Sequence, residues 1–351
     1  MAFPDSVKAW TAAVEHGLIE GDPAYYYDGV ATSEEYHHAL IVSILEAHGI
    51  DWQGTSEPPV DPPVDPPSGF GDGKAFGDRP SQTAVKHYQG QDGLVIEDLF
   101  FDGTGGKFQV NQSNPSNNHV CFMLTDCTNV IVRNVDFQNV SQPFAIFGGS
   151  DITIEDNRCD GITGPHTRLN VQNGNFLQTV NGPSRVTVRN NMIRGGDTED
   201  IISLYSARDS IIENNHIDGT GWSSDSGTGI ILSDGGGQNN KAIGNILFNP
   251  GQVGVAAAGG TGSLMEGNIV YGPKGIPGSN VGMYVANYSS GPYGDHHVVG
   301  NRVWYWNQGG GVLNGFWTAG GVVEERDNNW ADSSLKSGPG HPYWDEWTLL
   351  I

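Results

Sequence analysis

SIIENNHI, residues 210–217, decides how this chain folds. Apolar and polar residues alternate in it as in a strand, and two asparagines then break the run ahead of another apolar residue. The same figure returns as LVIEDLFF, VIVRNVDF, ITIEDNRC, VTVRNNMI, KAIGNILF, SLMEGNIV and HVVGNRVW. Its anchors are Asp98, Asn134, Asn157, Asn191, Asn215, Asn245, Asn268 and Asn301, spaced by 23 to 36 residues. Ahead of most anchors lies a second short apolar run, such as CFML, FAIF, IISLY, GIIL and GMYV.

A period of about 20–50 residues means a solenoid or a propeller. A propeller blade needs four strands, and the shortest copies have room for only two or three. Short strands separated by tight corners instead make the coils of a parallel β-helix, each pairing with the next. An asparagine repeated at one corner then stacks into a ladder whose amides bond to one another and to turn backbone. Composition agrees with an all-β chain of many corners. Gly is the commonest residue at 51 copies, and Gly is costly in helices but cheap where φ is positive.

Other regions differ in kind. Residues 1–54 carry helical signals: SVKAWTAAVEHGL sets Val7, Trp10, Val14 and Leu18 at helical spacing, and Thr32 followed by Glu35 reads as a capping box. Residues 55–69 hold a repeated Pro-Pro-Val-Asp unit, which predicts a polyproline spacer at about 3.1 Å per residue. The β-helix is expected over 70–330 and a C-terminal cap over 331–351. In NRVWYWN, strand alternation sets Trp304 and Trp306 on one face and Tyr305 on the other.

The formal net charge is −23, from 17 Lys and Arg against 40 Asp and Glu. That balance argues against nucleic acid or an anionic membrane as partner, and it favours neutral glycans over anionic ones. No cofactor is required by the sequence, although Ca²⁺ is a possible ligand of the carboxylates. Cys121, Cys127 and Cys159 lack metal-ligand spacing and read as small buried hydrophobes. There is no run of apolar residues long enough for a transmembrane helix, and no secretory signal is expected from the N-terminus.

The repeated NN-x-I figure and the EDIISLY…IIENNHI coil resemble the right-handed parallel β-helix superfamily of pectate lyases, polygalacturonases and phage tailspikes. The order of helical head, stiff linker and β-helix body resembles a tailspike in particular. That resemblance implies a homotrimer in a virion or extracellular setting, attached through its N-terminal module and binding a bacterial surface glycan. In polygalacturonase-like members an acidic pair precedes the apolar strand, and Glu199 and Asp200 resemble it. The GHG and R-I-K elements that complete such a site are absent.

Candidate chemistry lies on outer faces and in the longer corners, because the interior of a β-helix is packed. GGDTED, residues 195–200, sets three carboxylates ahead of a strand, which the other coils do not. Matching EDIISLY to GTGIILS puts Asp225 beside Asp197 in the next coil. Carboxyl pairs separated by about 5–9 Å serve glycoside hydrolysis, so Asp197, Glu199, Asp200 and Asp225 are the catalytic candidates. Trp222, Arg168 and His166, in neighbouring long corners, are the candidates for substrate binding. Two other readings stand beside the hydrolase. A lyase would draw on Arg168, His166, Arg194 or Arg208, with Ca²⁺ on the carboxylates; a non-enzymatic adhesive or structural spike would need neither.

Overall fold

A computed structural model describes residues 74–109, 119–162, 174–195, 198–219, 227–273, 278–308 and 311–336. The expected helical module at 1–54, the linker at 55–69 and the last residues of the cap lie outside them.

The described chain is a right-handed parallel β-helix with a triangular coil. One coil runs Asp200–Leu204, Ile211–Glu213 and His216–Asp218, and Thr228–Leu232 begins the next. Each strand pairs in parallel with its counterpart one coil on: Ile202 with Ile230, Ile212 with Ala242, Ile217 with Leu247. The first strands of successive coils build a nine-stranded sheet, called here the first sheet. The second and third strands form two further stacks, joined through the long strand Thr128–Val140 into the second sheet. No helix among the described residues is long and apolar enough to cross a membrane.

The interior is dry and stacked. Ile202, Ile230, Val255 and Met283 from the first sheet meet Ile217, Leu247 and Val270 from the second. Phenylalanines fill the early coils, where Phe122 and Phe144 stack at 5.4 Å and Phe101 meets Phe122 edge-on at 4.9 Å. The three cysteines are buried and free, as the sequence predicts.

The corner before the third strand holds the asparagine ladder. Asn215 Nδ2 donates to Asn245 Oδ1 at 2.9 Å, and Asn215 Oδ1 accepts from the Nδ2 and backbone N–H of Asn191. The ladder runs from Asn157 through Asn191, Asn215, Asn245 and Asn268 to Asn301, and continues to Asn328, which the repeat had not included. Two anchors are corrected. Asp98 and Asn134 have φ of 58° and 53°, so they occupy the left-handed position one residue ahead, which Asn190 and Asn214 fill in later coils. The rung beside Asn157 is Val135, whose N–H donates to Asn157 Oδ1. Asn and Asp tolerate the left-handed region and also make side-chain rungs, so residue type alone had merged two columns.

A second ladder lies at the corner after the first sheet. Ser210 N–H donates to Asn240 Oδ1, Ser233 and Ser263 share a hydroxyl hydrogen bond of 2.8 Å, and Ser263 N–H donates to His296 Nδ1. Its rungs are of mixed type, so no sequence repeat announces it.

Strands of the first sheet depart from simple alternation near their starts. Register partners skip one residue in each coil: Asp200 opposes Thr228 and Val253, then Ile202 opposes Ile230 and Val255. Ile201, Gly229, Gly254 and Gly282 are the skipped residues. Ile201 is wholly buried in the interior cluster, and a Cβ on Gly229, Gly254 or Gly282 would run into Leu247, Val270 or Val303 of the opposite wall. Two consecutive residues therefore face inward, and the residue before them is turned outward. This stacked bulge puts Asp200, Thr228, Val253 and Val281 on the outside.

At the far end, residues 331–336 fold back over the outer face of the second sheet. Arg302 pairs with Asp332 at 2.7 Å, and Leu335 is buried with Ile246, Ile269 and Trp304. Tyr305 points into the core while Trp304 and Trp306 meet outside it at 6.3 Å, matching the expected alternation.

Candidate functional site

The outer face of the first sheet, around Asp200, carries the described part of the acidic cluster. Its floor is apolar. Ile231, Val253, Ala256, Ala258 and Val281 form a cluster separate from the interior core, with Tyr284 packed on it. In register, Ser203, Ile231, Ala256, Tyr284 and Trp317 make one outward row along the axis. Tyr284 meets Tyr288 at 5.8 Å and Trp317 at 6.4 Å between ring centroids, both near edge-on. Tyr288 is 67% exposed, Trp317 46% and Tyr205 40%. A buried apolar floor with exposed rings at its rim suits a ligand with flat, weakly polar faces.

Asp200 opens its strand on this face. Its backbone is fixed on both sides, because Asn175 Nδ2 donates to Asp200 O at 2.7 Å and Thr228 N–H donates to Glu199 O at 3.0 Å. Burial raises the Asp200 carboxyl to about 7, the neighbouring Glu199 carboxylate adds to the rise, and hydrogen bonds from Thr228 oppose it. Asp234 also lies high, again through burial. It sits in the SDGGG turn after the strand Thr228–Leu232, where its Oδ1 accepts from Gly235 N–H at 2.8 Å. The hydroxyl of Tyr284 is pushed up by burial and then by the carboxylates of Asp200 and Asp234 and by Tyr288. Asp200, Tyr284 and Asp234 thus belong to one electrostatic group.

Of the sequence-predicted site residues, Glu199 and Asp200 are on this face. Asp197, Asp225, Trp222, Arg168 and His166 lie outside the described residues. Asp200 opposes Thr228, the same offset on which Asp225 was set beside Asp197. Arg194, a candidate for lyase chemistry, faces the other way: it pairs with Asp160 at 3.0 Å and lies 3.8 Å from Asp218 on the second sheet. Arg208 lies in the corner after the first sheet, bridged to Ser184 and Gln238. Sequence reasoning missed Asp234, Tyr284, Tyr288 and Tyr205, and it left Trp317 out of the candidate site. Only coil register brings these residues together, and the bulge hides that register.

Residues 84–274 match the family described as periplasmic copper-binding protein (NosD). No curated protein sequence matches the chain. Among solved structures, the surface protein and adhesin PfbA of Streptococcus pneumoniae is similar at 9% identity over 71% of this chain and 66% of that one, with a TM-score of 0.41. Pectate lyase Pel9A is similar at 13% identity over 74% and 72%, TM-score 0.41. The catalytic domain of a GH87 α-1,3-glucanase in complex with nigerose is similar at 12% over 69% of this chain and 50% of that one, TM-score 0.36. The chain therefore spans less than two thirds of the adhesin and half of the glucanase. At this level of identity and overlap, these likenesses say nothing of what this chain binds.

Proposed function

The chain belongs to the NosD family, and from that premise we propose that it works outside the cytoplasm as a glycan-binding β-helix whose first-sheet face also cleaves glycosidic bonds. The observation that carries this reading is Asp200: an outward carboxyl held near 7 at the edge of an apolar and aromatic face. Sugar rings stack their C–H faces on Tyr284, Tyr288 and Trp317, and their hydroxyls bond to Thr228 and the carboxyls. A carboxyl that keeps its proton near neutral pH is suited to protonate a glycosidic oxygen as general acid. Glu199, the adjacent carboxyl, is the partner that takes a proton from water or attacks the sugar.

The family description names copper. A copper site needs imidazole, thiolate or thioether donors that converge. Among the described residues no three His, Cys, Asp or Glu side chains do so. Burial raises the thiols of Cys121 and Cys159 well above the usual range, which disfavours the metal-binding thiolate. His297 Nδ1 is tied to Glu324 at 2.8 Å. The described residues do not fit a copper centre, and no step here runs through one.

The test is incubation with a panel of capsular and plant polysaccharides, reading both new reducing ends and unsaturated products. Reducing ends that Asp200→Asn abolishes while binding persists support the hydrolase. An unsaturated product would replace it with a lyase, and binding without turnover in wild type and Asp200→Asn alike would leave an adhesin. The order of head, linker and body supports a finer form of the proposal, a bacterial-glycan spike attached to a virion through residues 1–54 and trimeric. A monomer in sedimentation equilibrium at micromolar concentration would refute that form.

A further inference from the structure

Charge is segregated between the two sheets. Of the nine first-sheet strands only the first, Lys86–Gln89 at the far end from Tyr284, holds a Lys or Arg; VCFMLT, QPFAIF, LQTV, DIISL, TGIIL, VGVAA, VGMYV and FWT hold none. The second-sheet strands carry Arg133, Arg158, Arg185, Arg189, Arg194 and Arg302. Each is paired there with a carboxylate, as Arg189 is with Glu155 at 2.7 Å and Arg185 with Asp151 at 2.6 Å. The charged groups described on the first-sheet face around Tyr284 are Glu199, Asp200 and Asp234, all acids.

From this segregation we infer that the first-sheet face selects uncharged glycans and rejects uronate and sulfated ones without needing a metal. The inference rests on the glycan-binding reading above and names its ligand class. An acidic sugar seated on Tyr284 would lose water around its carboxylate or sulfate. It would find no guanidinium or ammonium on these strands to replace that water, and it would face carboxyls instead. An uncharged sugar has the opposite fit. Its hydroxyls donate to Glu199, Asp200 and Asp234 and exchange bonds with Thr228 and Ser203, while its apolar faces cover Ile231 and Ala256. The acidic net charge of the chain biases every face alike; the distribution of arginines is specific to this one.

The experiment measures binding of the full chain to a linear neutral glucan, to polygalacturonate and to a sulfated glucan, with EDTA and with Ca²⁺. The neutral polymer is expected to bind at least about tenfold more tightly than either acidic one, with or without EDTA. Tyr284→Ala should remove that binding. Gln178→Arg, which adds a cation one coil from Ser203 on the same outward row, should raise affinity for polygalacturonate. Binding to none of the three, or to other neutral and acidic polymers of the panel, would refute the glycan reading itself. Preference for an acidic polymer would overturn the ligand class and leave glycan binding standing. Acidic binding that EDTA abolishes would overturn it too, since a bridging cation would then be the recognition element. Neutral binding that survives Tyr284→Ala would overturn the assignment to this face.

Discussion

Asn215→Ala tests whether the ladder holds the coils together. The Asn215 side chain is fully buried and makes five hydrogen bonds. Its Nδ2 donates to Val188 O, Glu213 O and Asn245 Oδ1 at 2.9, 3.1 and 2.9 Å, and its Oδ1 accepts from Asn191 N–H and Nδ2–H at 3.0 and 2.9 Å. Each buried bond contributes about 1 kcal/mol net, and a donor left without a partner costs about 1–3 kcal/mol more. Asn191 Nδ2 keeps Ile154 O and Arg189 O, so its backbone N–H is the group left stranded. The expected loss is about 6–8 kcal/mol, comparable to the whole stability of many domains. Asn328, the last rung, accepts from Asn301 N–H and Nδ2–H and donates to Val298 O, and it is half-buried. Truncating it should cost about 2 kcal/mol. Urea unfolding followed by circular dichroism gives both values from the midpoint and slope. A loss below about 1 kcal/mol at Asn215 would refute the reasoning, as would an equal loss at the two positions.

Three further outcomes follow from the same geometry. Gly254→Ala forces a Cβ against Val270 and the Gly282 carbonyl, so overpacking should destabilise the chain by about 1–3 kcal/mol in thermal melts. Gly236→Ala and Gly267→Ala, with open space around the Cβ but φ of +85° and +62°, should cost only the backbone strain of the left-handed region, about 1 kcal/mol. His216 and His296 are held down to about 4 by burial; the unfolded chain takes up protons below about 6.5 that the folded chain refuses. Stability should therefore fall as pH drops through that window, by up to about 3 kcal/mol for each histidine, and melts at pH near 5 and near 7.5 read it. Asp200 has the opposite sign: its raised folded value means that stability is lost as pH rises from about 4 through about 7. Asp200→Asn should then be more stable than wild type near pH 8, by up to about 4 kcal/mol, and inactive; a less stable variant would refute the raised carboxyl.

The sequence made the solenoid legible because its corners are chemically strict. A buried Asn rung and a left-handed residue before it tolerate few substitutes, so NN, DN and GN recur wherever the corner recurs. The second ladder stayed hidden because Ser210, Asn240, Ser263 and His296 solve the same problem with different groups. The acidic cluster was visible as a departure from the repeat, but its surroundings were not. Asp200 lies outside because Ile201 is an extra inward residue, and no apolar count separates IIS with a bulge from IIS without one. Tyr284 and Trp317 reach the site only by stacking several coils away, so a search along the chain does not gather them there.

What distinguishes the first-sheet face is how its acids are treated. Several carboxylates on the second sheet are met by arginine: Arg185 and Ser150 hold Asp151 down at about 2, and Asp136 lies buried between Arg79 and Arg158. Even Asp156, which burial and Glu155 push up, has Arg189 and Arg133 opposing the rise. Arginine thus meets these second-sheet acids, although the chain carries more than two acids for each base. At Asp200 only hydrogen bonds from Thr228 oppose the burial and the neighbouring carboxylates. Such an arrangement costs stability, and one arginine on an adjacent strand would relieve it. Packing gives no reason to withhold that arginine, since the row from Gln178 to Trp317 accepts side chains as different as Ser, Ile and Tyr. A ligand that must approach a proton-bearing carboxyl across an uncharged face does give one.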